Sequence, residues 1–262
     1  MTTPTTLETV LKRDRTLVIS GLVGTTALAW LYLVSLAANM GDMGGAMGDT
    51  MLTARTTPWT ATQFLLMFLM WAVMMVGMML PSAAPMILLF ATVNRRRHDQ
   101  GRAVIPTAVF AGGYVGTWTA FSLGATLLQW SLHEVGLLSP MMTTTSTALG
   151  GGALIAAGIY QWTPLKGACL RHCQSPLQFI SQHWRSGTTG ALRMGWEHGL
   201  YCLGCCWILM GLLFVGGVMN LLWIAGLALF VLLEKALASR WVPMVGGVIL
   251  VIWGTLVLTS SG

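Results

Sequence analysis

The chain consists of apolar stretches separated by short polar segments. Seven stretches are each long enough to cross a hydrocarbon core of about 30 Å as an α-helix. They cover residues 16–38, 63–91, 104–131, 143–163, 196–217, 218–238 and 242–260. The pattern therefore predicts an all-α fold, a polytopic transmembrane bundle of seven spans.

The run from Gly199 to Leu233 contains no charged residue. One helix of that length would measure about 50 Å, well beyond the thickness of the hydrocarbon core. We therefore predict a turn at Gly216-Gly217 to Asn220, where small residues allow the chain to reverse. The alternative is a bundle of six spans in which one long helix is tilted.

Composition excludes a soluble or disordered protein. Hydrophobic residues make up 55% of the chain and charged residues 8%, whereas a soluble domain carries about a quarter charged residues. The net charge of +6 is typical of cytoplasmic loops and indicates no nucleic-acid partner. We expect a single membrane domain over 1–262, with an N-terminal span and outer loop (1–62) and a core (63–262).

The basic residues predict the orientation. If the N-terminus is inside and seven helices alternate, thirteen of the fourteen Lys and Arg residues fall on the inner side and Arg55 alone falls outside. This segregation is what the positive-inside rule requires. It predicts an inner N-terminus and an outer C-terminus. The first apolar run is too long for a signal peptide, so we interpret it as a span.

The five cysteines form two clusters on the predicted inner side, where disulfides are rare. Helical spacing puts the thiols of the second cluster on one face, together with a histidine one turn earlier. Thiolates and imidazole suit soft or borderline metals, namely Cu(I), Zn(II) or an iron–sulfur cluster, although packing alone remains an alternative. The candidate ligands are Cys169, His172, Cys173, His198, Cys202, Cys205 and Cys206.

We predict that the two cysteine clusters share one ion. Three thiols on one helical face cannot surround an ion, so the first cluster has to lie over the second, with sulfur atoms about 4–5 Å apart. The segment between them contains Pro176, Gly187 and Gly190 and can fold back. Leu177, Ile180 and Trp184 share a face there, which predicts a short interfacial helix.

Methionine is the second chemical signal, with 18 residues in the chain. A thioether is a soft, uncharged ligand that suits Cu(I), but a methionine row can also be a packing face. The second stretch carries candidate ligands on adjoining rows, and the outer loop carries four more in a Gly-rich segment that could equally be a linker. These candidates are Met74, Met78 and Met79, and Met40, Met43, Met47 and Met51.

Three other features are interpreted structurally. Glu234 and Lys235 end the sixth stretch and are expected to be an interfacial anchor. Pro81 and Pro85 are interpreted as tolerated helix prolines, although broken helices at membrane depth can also line a site. The pair His133-Glu134 is expected to be solvated.

Several motifs resemble a known family, the bacterial predicted metal-binding integral membrane proteins, a domain family of unknown function. The resemblance covers roughly 60 to 260 and implies a bacterial inner-membrane protein with a metal site, but no substrate. The motifs are Trp71-Ala-Val-Met74-Met75…Met78-Met79-Leu80-Pro81, Gly113-Tyr114, Tyr160-Gln161-x-x-Pro164-Leu165-Lys166-x-x-Cys169-Leu170-x-x-Cys173-x-x-Pro176, Gly199-x-x-Cys202-x-Gly204-Cys205-Cys206-Trp207, Gly217-Val218-Met219-Asn220-Leu221 and Glu234-Lys235.

The sequence thus favours a membrane protein that handles a soft metal, with Cu(I) preferred over Zn(II), in uptake or in delivery to a membrane metalloenzyme. A metallochaperone is a possible partner, and the oligomeric state is open. Two alternatives are a scaffold with a structural zinc site and a thiol–disulfide protein using Cys202 and Cys205. The sequence contains no nucleotide-binding loop and no acyl-transfer triad, so an enzyme or an energy-coupled pump is not the expectation.

Overall fold

The computed structural model describes residues 6–41, 59–98, 105–135 and 146–260, and within these ranges the chain forms ten α-helices and no strand. The all-α prediction is therefore confirmed for the described residues. The helices are α1 (Thr6–Gly41), α2 (Ala61–His98), α3 (Thr107–Glu134), α4 (Thr147–Tyr160), α5 (Pro164–Gln174), α6 (Pro176–His183), α7 (Thr188–Gly211), α8 (Leu213–Gly216), α9 (Leu221–Ala236) and α10 (Trp241–Thr259).

Four segments in the described ranges are long and apolar enough to cross a membrane. They are Arg15–Ala38, Ala61–Arg97, Thr188–Gly216 and Trp241–Thr259. α3 is long but less apolar, because its buried face carries hydroxyl and amide side chains. α4 and α9 have 14 and 16 residues, which gives lengths of only about 21 and 24 Å. A helical membrane bundle is thus supported.

The predicted break in the long apolar run is confirmed. α7 and the single turn α8 end at Gly216, and Gly217 adopts φ +95°, a left-handed conformation that favours glycine. The side chain of Asn220 then caps α9 by accepting a hydrogen bond from the backbone N–H of Trp223 at 3.2 Å. The alternative of one continuous tilted helix is wrong for this segment.

Helix α3 packs against both α2 and α7, and α1 packs against α2. α3 and α7 cross closely because Gly113 and Gly195 face the backbone of the opposite helix, where a Cβ atom would overlap main-chain atoms. α4 packs on α10, and α5 packs on α7. This arrangement places the surface helix α5, which carries the first cysteine cluster, against the middle of α7.

Helix α2 continues through both of its prolines for 38 residues, a length of about 57 Å. Pro81 has no backbone N–H, so the carbonyl of Gly77 loses its partner within the helix. The indole nitrogen of Trp30 in α1 donates to that carbonyl at 3.2 Å. The proline defect is therefore satisfied by a neighbouring helix.

Candidate metal centre

Helix α5 is held over α7 by its local sequence. Pro164 occupies the first turn, and the side chain of Thr163 accepts a hydrogen bond from the N–H of Lys166 at 3.3 Å. At its other end, Ser175-Pro176 ends α5 and begins α6. The contact with α7 is close, because a Cβ atom at Gly204 would lie 2.7 Å from the sulfur of Cys169.

The first cysteine cluster packs against α7 beside the second, where Cys169 lies against Gly204, and the thiol of Cys173 reaches the second cluster. It interacts as a hydrogen-bonding partner with the thiols of Cys202 and Cys205. Cys202, Cys205 and Cys206 are all at most 1% exposed, which agrees with a single inward face of α7. Thiols from two helices separated by 28 residues of chain thus meet in one place. Their role as metal ligands stays a prediction.

Cys202 is the centre of the polar contacts in this cluster. The ammonium of Lys235 donates to its sulfur at 2.9 Å, and the hydroxyl of Tyr114 lies 3.0 Å from it. Tyr114 also donates to the carbonyl of Met79 at 3.0 Å. Helices α3 and α9 therefore both contact the sulfur of Cys202, and α2 is linked to it through Tyr114.

The interpretation of Glu234 and Lys235 as an interfacial anchor is wrong. Both side chains are buried, at 0% and 8% exposed. Glu234 forms an ion pair with Lys166 of α5 at 2.7 Å, and Lys235 reaches Ser82 of α2 at 2.9 Å as well as Cys202. The reason is that α9 is short, so its last turn ends inside the protein, where α5 and α2 supply partners.

The two candidate histidines occupy different environments. His198 is buried among the rings of Phe110, Tyr114 and Phe179. His172 is partly exposed and stacks on Tyr201, with ring centroids 4.0 Å apart and an interplanar angle of 3°. Its Nδ1 atom lies 2.9 Å from the carbonyl oxygen of Ala168. When Nδ1 carries the proton for that contact, the other ring nitrogen is free to bind a metal.

The methionines of α2 are buried. Met74, Met78 and Met79 are at most 1% exposed and pack in the core. The outer-loop candidates Met43, Met47 and Met51 lie outside the described residues, and so does the side chain of Met40. The contact between the α2 methionines and the cluster is made by the backbone carbonyl of Met79, which accepts from Tyr114.

The pKa values of the α5 cysteines are raised. Burial raises the pKa of Cys169, and the nearby Cys205 adds to the effect. The pKa of Cys173 is raised chiefly by its hydrogen bonds with Cys202 and Cys205 and then by burial. Both residues therefore hold their protons at neutral pH, and a metal would have to displace them.

No group of three or more His, Cys, Asp or Glu side chains in the described segments is arranged so that it could hold a metal ion. The thiols of Cys205 and Cys206 donate to the backbone carbonyl of Cys202, each at 3.0 Å, and the sulfur of Cys202 accepts from Lys235. The geometry is therefore that of a hydrogen-bonded cluster that brings thiols from two helices side by side.

Comparison with known families identifies the group to which the chain is related. The family model described as PpoB2, copper chaperone, matches residues 68–257. The chain belongs to the PpoB2 family of copper chaperones. No curated protein and no solved structure matches the sequence. The membership confirms a metal-related family but corrects one point, since PpoB2 is not a family of unknown function. It also favours copper as the relevant metal.

The sequence did not predict a place in the cluster of this PpoB2 member for three residues, Lys235, Tyr114 and Ser82. A charged residue within an apolar run is costly in a membrane and is by default a functional candidate. That signal was available for Lys235, which lies within the stretch 218–238. Tyr114 carried a weaker signal, because it belongs to the Gly113-Tyr114 motif of the family resemblance. Ser82 carried none, because a serine in a spanning helix is commonplace.

Proposed function

We propose that this chain is a membrane-embedded Cu(I) chaperone that holds the ion on cysteine thiolates and delivers it to a partner protein. The observation that carries the proposal is the packing of the first cysteine cluster on α7, where Cys169 lies against Gly204 and Cys173 interacts with Cys202 and Cys205. Thiolates select soft ions such as Cu(I). Membership of a family of copper chaperones supports copper as the cargo and delivery as the task.

In this proposal Cys173, Cys202 and Cys205 form the inner binding site. Cys169 and Cys206 flank it and serve as exchange ligands. His172, at the partly exposed edge of the cluster, takes or releases the ion at the protein surface, and buried His198 supports the site from within. A thiol that binds Cu(I) loses its proton, so loading releases protons and unloading takes them up.

We place the protein in a bacterial inner membrane, with seven spans, an inner N-terminus and an outer C-terminus. Each of the seven apolar stretches contains a helix in the described residues, and the basic residues segregate as the positive-inside rule requires. α4 and α9 end beside the cluster, because Tyr160 donates to the carbonyl of Gly204 and Lys235 donates to Cys202. The cluster then lies near the inner boundary of the hydrocarbon, covered by α5.

Copper from the outer side would follow the methionines in this scheme. Met40, Met43, Met47 and Met51 capture Cu(I) weakly, and Met74, Met78 and Met79 offer exchangeable thioether sites along α2. The burial of these α2 side chains supports such a route, and so does the position of Met79, whose backbone carbonyl accepts from Tyr114 beside Cys202. The step from thioether to thiolate ligands gives an affinity gradient that points inward. The recipient is a metallochaperone or a membrane metalloenzyme.

The decisive test is metal binding by the purified full chain in mild detergent. We expect about one Cu(I) per chain, and we expect Cys173→Ser and Cys202→Ser each to weaken Cu(I) binding at least about a hundredfold, a loss of about 2.8 kcal/mol. Met210→Leu is the matched control, because it removes a buried sulfur from α7 two turns beyond Cys202. Its affinity should equal that of the wild type.

Two results would contradict the proposal. One is a wild-type chain that binds Zn(II) stoichiometrically but not Cu(I), which would indicate a structural zinc site. The other is Cu(I) binding that survives both cysteine substitutions unchanged, which would place the ion elsewhere.

A further inference from the structure

Three charged side chains are buried beside the cysteine cluster in the described part of the chain. Lys166 is 1% exposed, Glu234 0% and Lys235 8%. Lys166 and Glu234 neutralise each other in an ion pair of 2.7 Å. One positive charge, that of Lys235, is left over.

Lys235 has no carboxylate partner among the residues that the structure describes. Its ammonium donates to the hydroxyl of Ser82 and to the sulfur of Cys202, each at 2.9 Å. An ammonium buried without a counter-charge is costly. Of these two partners, Cys202 is the one that becomes negatively charged when a metal displaces its proton.

Resting on the proposed function, we propose that Lys235 is the specificity-determining residue that makes the cysteine site select a monovalent over a divalent ion. On the same thiolates, Zn(II) carries one more positive charge than Cu(I), whatever the number of thiolates that bind the ion. The buried ammonium repels this extra charge in a medium of low dielectric constant and so penalises Zn(II) relative to Cu(I). Lys235 thus acts on the ion through charge, without binding it.

The ratio of the two affinities isolates this effect. If Cu(I) and Zn(II) bind to the same thiolates, their electrostatic interactions with Lys235 differ by the effect of one unit of charge. With the ammonium 2.9 Å from Cys202 and a metal about 2.3 Å beyond the sulfur, the ammonium-to-ion distance is about 4–5 Å. At an effective dielectric constant of about 20, one unit of charge at that distance changes an equilibrium by roughly a hundredfold or more.

The experiment measures Cu(I) and Zn(II) affinities of the full chain in detergent by competition with chromophoric chelators. Lys235→Met keeps the stem but removes the charge, and we expect the Cu(I)/Zn(II) affinity ratio to fall about a hundredfold. Lys235→Arg keeps the charge and should keep the ratio within about tenfold. The control Lys166→Met/Glu234→Met removes an ion pair with no net charge, so the Cu(I)/Zn(II) affinity ratio of this variant should equal that of the wild type.

Glu234→Gln tests the idea from the opposite direction, should Lys235→Met not fold. This substitution leaves Lys166 unpaired and adds positive charge near the site, so the Cu(I)/Zn(II) affinity ratio should rise severalfold. A folded Lys235→Met variant with a wild-type ratio, or a Glu234→Gln variant whose ratio stays the same or falls, would overturn the inference. Neither outcome affects the proposed function, which fails only if the wild type itself does not bind Cu(I) through its cysteines.

Discussion

The ion pair between Lys166 and Glu234 should be essential for stability although it faces no solvent. Lys166→Met leaves the carboxylate of Glu234, which is 0% exposed, without its partner at 2.7 Å. Lys235 does not replace that partner, since its ammonium is engaged by Ser82 and Cys202. Breaking a buried pair by removing one member costs about 3–5 kcal/mol.

The double variant separates charge from packing. In Lys166→Met/Glu234→Met both charges are gone and both volumes are kept, so the desolvation penalty disappears and stability should return to within about 1–2 kcal/mol of the wild type. The Glu234→Met substitution also retains the backbone carbonyl of residue 234, which accepts a hydrogen bond from Gln174 at 2.9 Å. The single variant should therefore be less stable than the double variant.

Thermal unfolding in mild detergent, followed by circular dichroism, is the assay. A loss of 3–5 kcal/mol corresponds to a melting temperature lower by roughly 10 °C in a chain of this size. Because α5 carries Cys173, Cu(I) affinity should fall together with stability in the single variant and recover in the double variant. The reasoning would be refuted if the single variant lost less than about 1 kcal/mol, or if the double variant were as unstable as the single one.

Three further predictions concern topology, capture and pH. A reporter fused after Arg97 should be cytoplasmic and one fused at the C-terminus periplasmic, and a result with both on one side would exclude seven spans with the proposed orientation. Replacing the four outer-loop methionines by leucine should lower copper accumulation at limiting external copper and leave it normal at high copper, whereas an unchanged uptake curve would reduce the loop to a linker. Since the pKa of Cys173 is raised, its thiol is protonated at neutral pH and Cu(I) has to displace that proton. Apparent Cu(I) affinity should therefore increase about tenfold per pH unit between pH 6 and 8 for each proton released, and a flat profile would show that no proton is displaced.

The helices were largely predictable because hydrophobic runs and turn residues are local signals. Each apolar stretch contains a helix, and Gly217 and Asn220 interrupt the long run where expected. Helix ends were predicted less well. α2 continues past residue 91 to His98, because arginines are good helix formers. Hydropathy indicates which residues lie within the membrane, whereas helix propensity decides where the helix ends.

The cysteine cluster was predictable only in part. Helical spacing correctly placed Cys202, Cys205 and Cys206 on one face, and Pro176 marked the fold-back that begins α6. The contact of Lys235 with Cys202 was not predictable, since it depends on how far α9 reaches before it ends. Long-range packing sets that distance, and no pattern within either segment encodes it.

The unequal helix lengths have a consequence for the surrounding lipid. In the seven-span arrangement, α4 and α9 are about 21 and 24 Å long, whereas an average bilayer has a hydrocarbon thickness of about 30 Å. Helices that are too short draw the headgroups inward on their side of the protein, so the bilayer should be thinner there than beside α2. This hydrophobic mismatch would bring the aqueous boundary closer to the cysteines than the mean membrane thickness implies. Copper transfer should therefore be faster in bilayers of short-chain lipids than in those of long-chain lipids.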